Sequence, residues 1–228
     1  MQSVSATYST ILSGAHKAEW KVQINNVDYG ESVLRKLEIN RSVFGSSPAI
    51  GSCIAAEIDL SLLKPTADIP RMASIKPYVR ITNGVLTSEW LPKGTFYIDT
   101  RSYTKNDGVD VMEIHGYDAM LMTEQLCPLN AFPTTDIQAV SAIATFLGVS
   151  LDPDMSTMMD KGYTVPVPAE YSCREVLGYI ASMYAGCFVF DDFGKLRLVT
   201  VNGMPPETNY LINFAGYVIT FGGDRILV

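Results

Sequence analysis

Residues 113–120 read EIHGYDAM, and the fold turns on what this octapeptide does. It places His115 and two carboxylates, Glu113 and Asp118, within six positions around Gly116. Such a cluster is either a metal or catalytic site, or the point where a strand stops and a helix begins. A zincin-like site needs two His at i, i+4 with a Glu between them, and the chain contains only His16 and His115. The run VDVMEIHG alternates with period two, whereas Tyr117, Met120 and Leu121 fall on one helical face. The stretch is therefore read as a strand-to-helix junction near Tyr117. Gly116 relieves the backbone there, and the Asp118 charge favours the helix N-terminus.

Upstream, the alternation repeats. In CIAAEIDLSLL (53–63), Ile54, Ala56, Ile58, Leu60 and Leu62 share one face, while Glu57, Asp59 and Ser61 take the other. EWKVQIN (19–25), RKLEIN (35–40), PYVRIT (77–82) and GTFYIDTR (94–101) follow the same rule. Turn signals lie between them at Asn25-Asn26, Asp28 to Gly30, Gly45 to Pro48, Asn83-Gly84, Pro92 to Gly94 and Asn106 to Gly108. Six or seven strands in about a hundred residues predict an antiparallel sandwich or barrel over 1–116. A short helix is expected before it in SATYSTILSG (5–14).

Downstream, the period becomes helical. TTDIQAVSAIATFLG (134–148) offers a Thr135/Gln138 capping box, a stripe of Ile137, Val140, Ala144 and Leu147, and Gly148 as the stop. YSCREVLGYIASMYAG (171–186) repeats the plan with Ser172/Glu175, then Val176, Ile180 and Tyr184, and Gly186 as the stop. CFVFDDFGKLRLVTV (187–201) is a hairpin signature, and YVITFGGDRILV (217–228) reads as strand, turn, strand. The fold class is α+β. An N-terminal antiparallel β-barrel (1–116) precedes a mixed α/β domain (117–228) with two capped helices, a hairpin and part of a second barrel.

Composition narrows the function. The 47% hydrophobic content is enough for a sizeable core, and the formal charge of −7 with no basic run argues against specific nucleic-acid binding. The N-terminus lacks the pattern of a secretory signal, and the longest apolar stretches, 139–149 and 176–190, are too short to span a membrane. Cys53, Cys127, Cys173 and Cys187 show no CxxC spacing and read as buried thiols, with a Cys173–Cys187 disulfide as the alternative.

Other chemistry-bearing patterns have plainer explanations. Asp192-Phe193-Gly194 copies a kinase magnesium triplet, but without a Gly-rich phosphate loop it reads as a hairpin turn. Asp152 and Asp154 are spaced as in a calcium loop, yet Thr157 stands at the glycine position and Tyr163 at that of the bidentate Glu. Gly51-Ser52-Cys53 is not a nucleophile elbow, and nothing local favours pairing Cys53 with His115. Trp20, Trp90, Phe96, Tyr97 and Tyr103 are either a sugar-stacking surface or strand filling. Clean alternation assigns Trp20 and Phe96 to the core and leaves Trp90 open between core and interface. No catalytic, cofactor-binding or metal-ligating residue is assigned, and no cofactor is expected.

SIKPYVRITNGVLTSEWLPKGTFYIDTRS (74–102), VDVMEIHGYDAML (109–121), YSCREVLGYIASMYAG and FDDFGKLRLV (190–199) together resemble the baseplate hub of bacteriophage tails and related contractile injection machines. The resemblance extends to the N-terminal regions of tail-associated lysins and to the late control protein D family. It implies a non-enzymatic virion tail protein made in the cytoplasm of a bacterial host. It also implies a homotrimer whose barrels form a pseudo-sixfold ring joining the tail tube to a spike or fibre. The implied partners are further copies of the chain and the tube, distal tail and tape-measure proteins. Family hubs often carry a complete second barrel, so a chain stopping at Ile226-Leu227-Val228 is expected to be a minimal hub or the first piece of a longer protein. Net negative charge around a lumen would repel phosphate and let DNA pass without sticking. The runner-up reading is a receptor- or carbohydrate-binding tail-tip module using Trp90, and the third is a cell-wall hydrolase.

Overall fold

Period-two alternation before residue 118 becomes one antiparallel sheet in the computed structural model. The structure describes residues 4–43, 50–63, 69–105 and 108–200, together with the backbone of 106, 213–214, 217–218, 220–221 and 224–225. Helix α1 (Ala6–Leu12), capped by Ser5, is followed by β1 (Lys17–Ile24), β2 (Val27–Gly30), β3 (Leu34–Asn40) and β4 (Glu57–Leu63). Then come β5 (Ser74–Thr82), β6 (Leu91–Pro92), β7 (Phe96–Asn106) and β8 (Val109–Asp118). The eight strands run in the order β2-β1-β5-β7-β8-β4-β3, with β6 added against β5. Inward residues of both halves, among them Val22, Ile24, Ile58, Leu60, Ile75, Phe96, Met112 and Ile114, form a single buried cluster.

The sheet has a corner and a seam. β5 meets β7 only through Ser74–Tyr97 and Ile75–Phe96, so two four-stranded halves hinge on that short pairing. β2 and β3 end the strand order at opposite sides, yet only residues 31–33 separate them, and Val33 N–H donates to Gly30 O at 3.0 Å. No ladder joins β2 to β3 among the described residues, so hydrogen bonds do not close the sheet into a barrel. Asp28 to Gly30, expected as a turn, lie inside β2. Asn25 and Asn26 make the whole reversal with φ of 48° and 65°, a conformation Asn tolerates in two-residue hairpins. Gly45 to Pro48 fall outside the described residues.

EIHGYDAM resolves differently from its sequence reading. β8 runs on through Gly116 and Tyr117 to Asp118, and a 3-10 helix, not an α-helix, spans Ala119–Glu124. Tyr117 stays in the strand because it pairs on both sides, with Glu57 of β4 and Tyr97 of β7. Gly116 is therefore a strand residue. A Cβ there would stand 2.5 Å from the Tyr97 carbonyl oxygen, just before the bulge between Ile98 and Thr100. Asp118 is the helix N-cap, its carboxylate accepting from Met120 N–H at 2.9 Å.

The second half builds its own core. β9 (Thr134–Thr135) pairs with β10 (Thr164–Val165), and α2 (Asp136–Leu147), α3 (Met155–Met158) and α4 (Cys173–Met183) pack with the hairpin β11 (Gly186–Phe190) and β12 (Leu196–Thr200). Two further short antiparallel pairs, 213–214 with 217–218 and 220–221 with 224–225, agree with strand, turn, strand near the C-terminus. Ser172 and Glu175 form the expected capping box. The Thr135/Gln138 box does not form: Thr134 Oγ1 takes Gln138 at 2.7 Å instead. Asp136, fully buried, accepts from Ile137 N–H, Tyr163 N–H and the Tyr184 hydroxyl, tying α2 to the end of α4. Gly148 ends α2 in the left-handed region as expected. After α4, however, Ala185 takes the positive φ, and Gly186 opens β11, where a Cβ would meet Val199 O at 2.6 Å.

The cores interlock. Cys53 and Ala55 precede β4 in sequence but belong to the second cluster. Gly51 N–H donates to Gly186 O at 2.8 Å, and a Cβ on Gly178 of α4 would stand 2.7 Å from Gly51 O. Replacing Gly116 with Ala should cost about 2 kcal/mol, because its methyl group meets backbone that cannot swing aside. Urea unfolding of Gly116→Ala should show a lowered midpoint, and an unchanged midpoint would refute the close approach.

Candidate functional site

The residues singled out in the sequence do not converge. His115 and Asp118 point to opposite faces of β8. His115 Nδ1 lies 2.8 Å from Asp59 Oδ1, with the imidazole edge-on to Tyr117 at 4.8 Å, whereas Asp118 is 4% exposed. Cys53 sits in the second core, where burial pushes its thiol up to about 11, away from nucleophile chemistry. Ser52 Oγ donates to Val43 O at 3.1 Å and lies 3.3 Å from Cys187 Sγ. All four cysteines are free and buried, so the Cys173–Cys187 disulfide is not formed. Burial pushes the Cys127 thiol up to about 12, with Cys173 as its thiol neighbour.

The Asp192-Phe193-Gly194 triplet is a docking turn. Asp191 Oδ1 accepts from Phe193 and Lys195 N–H, and Gly194 takes φ of 74°. The turn presses on the first half of the chain. Arg41 Nη1 bonds Asp192 Oδ1 at 2.5 Å, its Nη2 bonds Lys93 O at 2.6 Å, and Gly94 N–H donates to Asp192 O at 2.9 Å. Asp152 Oδ1 is occupied by Asp154 N–H at 2.9 Å. No group of three metal-binding side chains occurs among the described residues.

Between this turn and the sheet lies a half-open cleft of about 510 Å³, with Arg41, Asp118, Asp192 and Arg197 on its polar walls. Arg41, Asp192 and Asp118 serve as ties, whereas the buried Arg197 Nε makes no hydrogen bond and lies 3.7 Å from Asp152 Oδ2. Asp118 caps the 3-10 helix, and Arg174 closes the other end, donating to Met120 O at 2.8 Å and pairing with Glu124. Desolvation lifts the Asp118 carboxyl from 3.8 to about 6, against the opposing pull of its backbone donors and of Arg41 and Arg174.

The aromatics divide. Phe96 is fully buried and Tyr103 is 58% exposed. Trp20 is only half-buried, contrary to its core assignment, because it lies toward the open end of β1 and lines a 250 Å³ pocket with Glu31, Leu34 and Leu37 of the β2–β3 seam. Trp90 is half-buried with two cations over its ring, Arg80 at 4.4 Å and Lys21 at 5.1 Å. Sequence reasoning missed these cations, since only the β1–β5 register brings them together.

No protein-family model matches the chain, and no curated protein matches it in sequence. Solved structures share its fold. The 43 kDa tail protein of prophage MuSo2 from Shewanella oneidensis aligns with a TM-score of 0.56 at 13% identity, over 80% of this chain and 53% of that one. A tail protein from Neisseria meningitidis MC58 aligns with a TM-score of 0.55 at 13% identity, over 79% of this chain and 50% of that one. At this identity the likeness is one of fold, and the chain spans about half the length of these tail proteins.

Asp118 yields a pH signature. Its native pKa is raised, so its contribution is full below pH 4 and is lost as pH climbs through 6. Asp118→Asn can keep the cap while removing that titration. Between pH 4 and pH 7 the stability difference should shift toward the variant by roughly 2–3 kcal/mol in urea melts. Parallel pH profiles would refute it.

Proposed function

We propose that this chain is a non-enzymatic structural protein of a phage or prophage tail, acting as a baseplate hub that joins the tail tube to the tip by ring assembly. The observation that carries this reading is the shared fold: the eight-stranded sheet with its helix-and-hairpin unit aligns over four-fifths of the chain with a prophage tail protein. In this reading residues 1–116 form the tube-like unit and 117–228 the second unit, with the 50–56 segment linking their cores. The seam between β2 and β3, spanned by three residues, lets the sheet close as a barrel once neighbouring copies press on it. The ring is a homotrimer that contacts tube, distal tail and tape-measure proteins in the virion, after synthesis in the host cytoplasm. A net charge of −7 lets DNA traverse its lumen without adhering.

The carbohydrate-binding alternative is weakened by Trp90, whose ring already carries Arg80 and Lys21 where a sugar would stack. Light scattering of the purified chain should return three times the 25.0 kDa of one copy, and negative-stain images should show rings. A single-copy mass at every concentration, with no rings, would overturn the hub reading.

A further inference from the structure

The two halves of the sheet turn opposite outer faces to solvent, and those faces differ in charge. Inward residues of β1 and β5 pack against inward residues of β4 and β8 in one core, so the outward residues of the two halves point away from each other. On the β1–β5 side the outward rows pair Glu19 with Arg80, Lys21 with Tyr78 and Gln23 with Lys76. Trp90 flanks them beside β6. Arg80 lies 4.4 Å from its ring, and Lys21 stands 5.1 Å from Trp90 and 5.3 Å from Tyr78. Glu19 and Asp28 partly offset Arg80 and Lys21, each at 2.8 Å, and Lys76 adds a further positive charge. Lys17 is likewise paired with Glu31 at 3.0 Å, so the face is aromatic with a small positive excess, four cations against three carboxylates.

The β4–β8 side carries the reverse. Its outward rows align Glu38 with Asp59 and His115, and Lys36 with Ser61 and Glu113, with Glu57 next along β4. Three carboxylates, Glu38, Asp59 and Glu113, thus act on one lysine, and Glu57 extends the acidic row. The Lys36 ammonium is held above its usual value first by its hydrogen bond to Glu38, and the fields of Asp59 and Glu113 reach it as well, so the acidic residues form one continuous patch.

We propose that copies of this chain dock head to tail, the cationic, aromatic β1–β5 face of one copy seated on the acidic β4–β8 face of the next. The inference rests on the ring reading above and names its interface. Opposite charge on opposite walls is the arrangement a heterologous contact needs, and such contacts generate closed rings when the rotation permits. Trp90, Tyr78 and Arg80 are residue types that dominate interface energetics, and docking would bury them.

Sedimentation of the full chain tests the proposal at low and high salt, with Lys76→Glu, Glu113→Lys and the double variant, and with circular dichroism to confirm folding. Glu38→Lys, on an exposed side chain, replaces Glu113→Lys if that variant does not fold. Wild-type association should weaken with salt. Each single reversal should weaken it about tenfold or more, and the double variant should recover most of the loss. Rings that persist unchanged in both single variants would overturn these faces as the interface and leave the hub reading standing. A wild-type chain that never self-associates would overturn both.

Discussion

Gly116 lacks a side chain where the Tyr97 carbonyl oxygen already occupies the space, and the rest of the molecule depends on that close approach. β8 is a long strand paired along most of its length on both edges, with β4 and with β7. Its C-terminal end must leave the first core and deliver the chain to the second. At the crossing β7 bulges between Ile98 and Thr100, which tightens the local twist and brings the two backbones together beside Gly116. Asp118 can then turn inward, accept from Met120 N–H and start the 3-10 helix whose residues Ala119 and Met120 belong to the second core. A residue with a Cβ at 116 would push β7 away and move that starting point.

The same device joins the halves elsewhere. Gly51 faces Gly178, and Gly194 faces Thr95, so backbone meets backbone or a short side chain at each contact. Polar ties reinforce these contacts, with Arg41 reaching both Asp192 and the Lys93 carbonyl. Apolar residues of the first half, Cys53, Ala55 and Tyr97, add to the junction by packing into the second core. In the cleft beside it, Asp118, Arg41 and Asp192 are engaged in hydrogen bonds, whereas the buried Arg197 Nε lies 3.7 Å from Asp152 Oδ2 without a hydrogen bond.

Much of the sheet was legible because period-two alternation survives wherever one face is buried. β1, β3, β5, β7 and β8 lie where the pattern places them, and Ser172 with Glu175 marks the start of α4 because both partners of that box are local. Failures arose where a tertiary partner, or a competing local one, outbid the local signal. Tyr117 reads as helical, but its pairing with Glu57 and Tyr97 holds it in β8. Gln138 reads as a cap partner, but Thr134 takes it. Asp28 to Gly30 look like a turn, yet two Asn residues complete the reversal before them. The tie between Arg41 and Asp192, 151 residues apart, carries no sequence signal. Trp90 was ambiguous for a related reason, since its neighbours come from two other strands.

The acidity of the chain was legible only as a sum, and the sum conceals its arrangement. If −7 were spread evenly, copies of this protein would repel in every orientation. Segregation changes the outcome. Two acidic β4–β8 faces brought together set like charges against each other, which disfavours the symmetric pair in which that patch meets itself. The β1–β5 face, with Lys21, Lys76 and Arg80 around two aromatic rings, has no such conflict with the acidic face. In the proposed assembly, repulsion selects the orientation in which each copy presents a different face to each neighbour. There, specificity is written in the outward residues of strands whose inward residues build the first core, and no reactive pocket is required of either set.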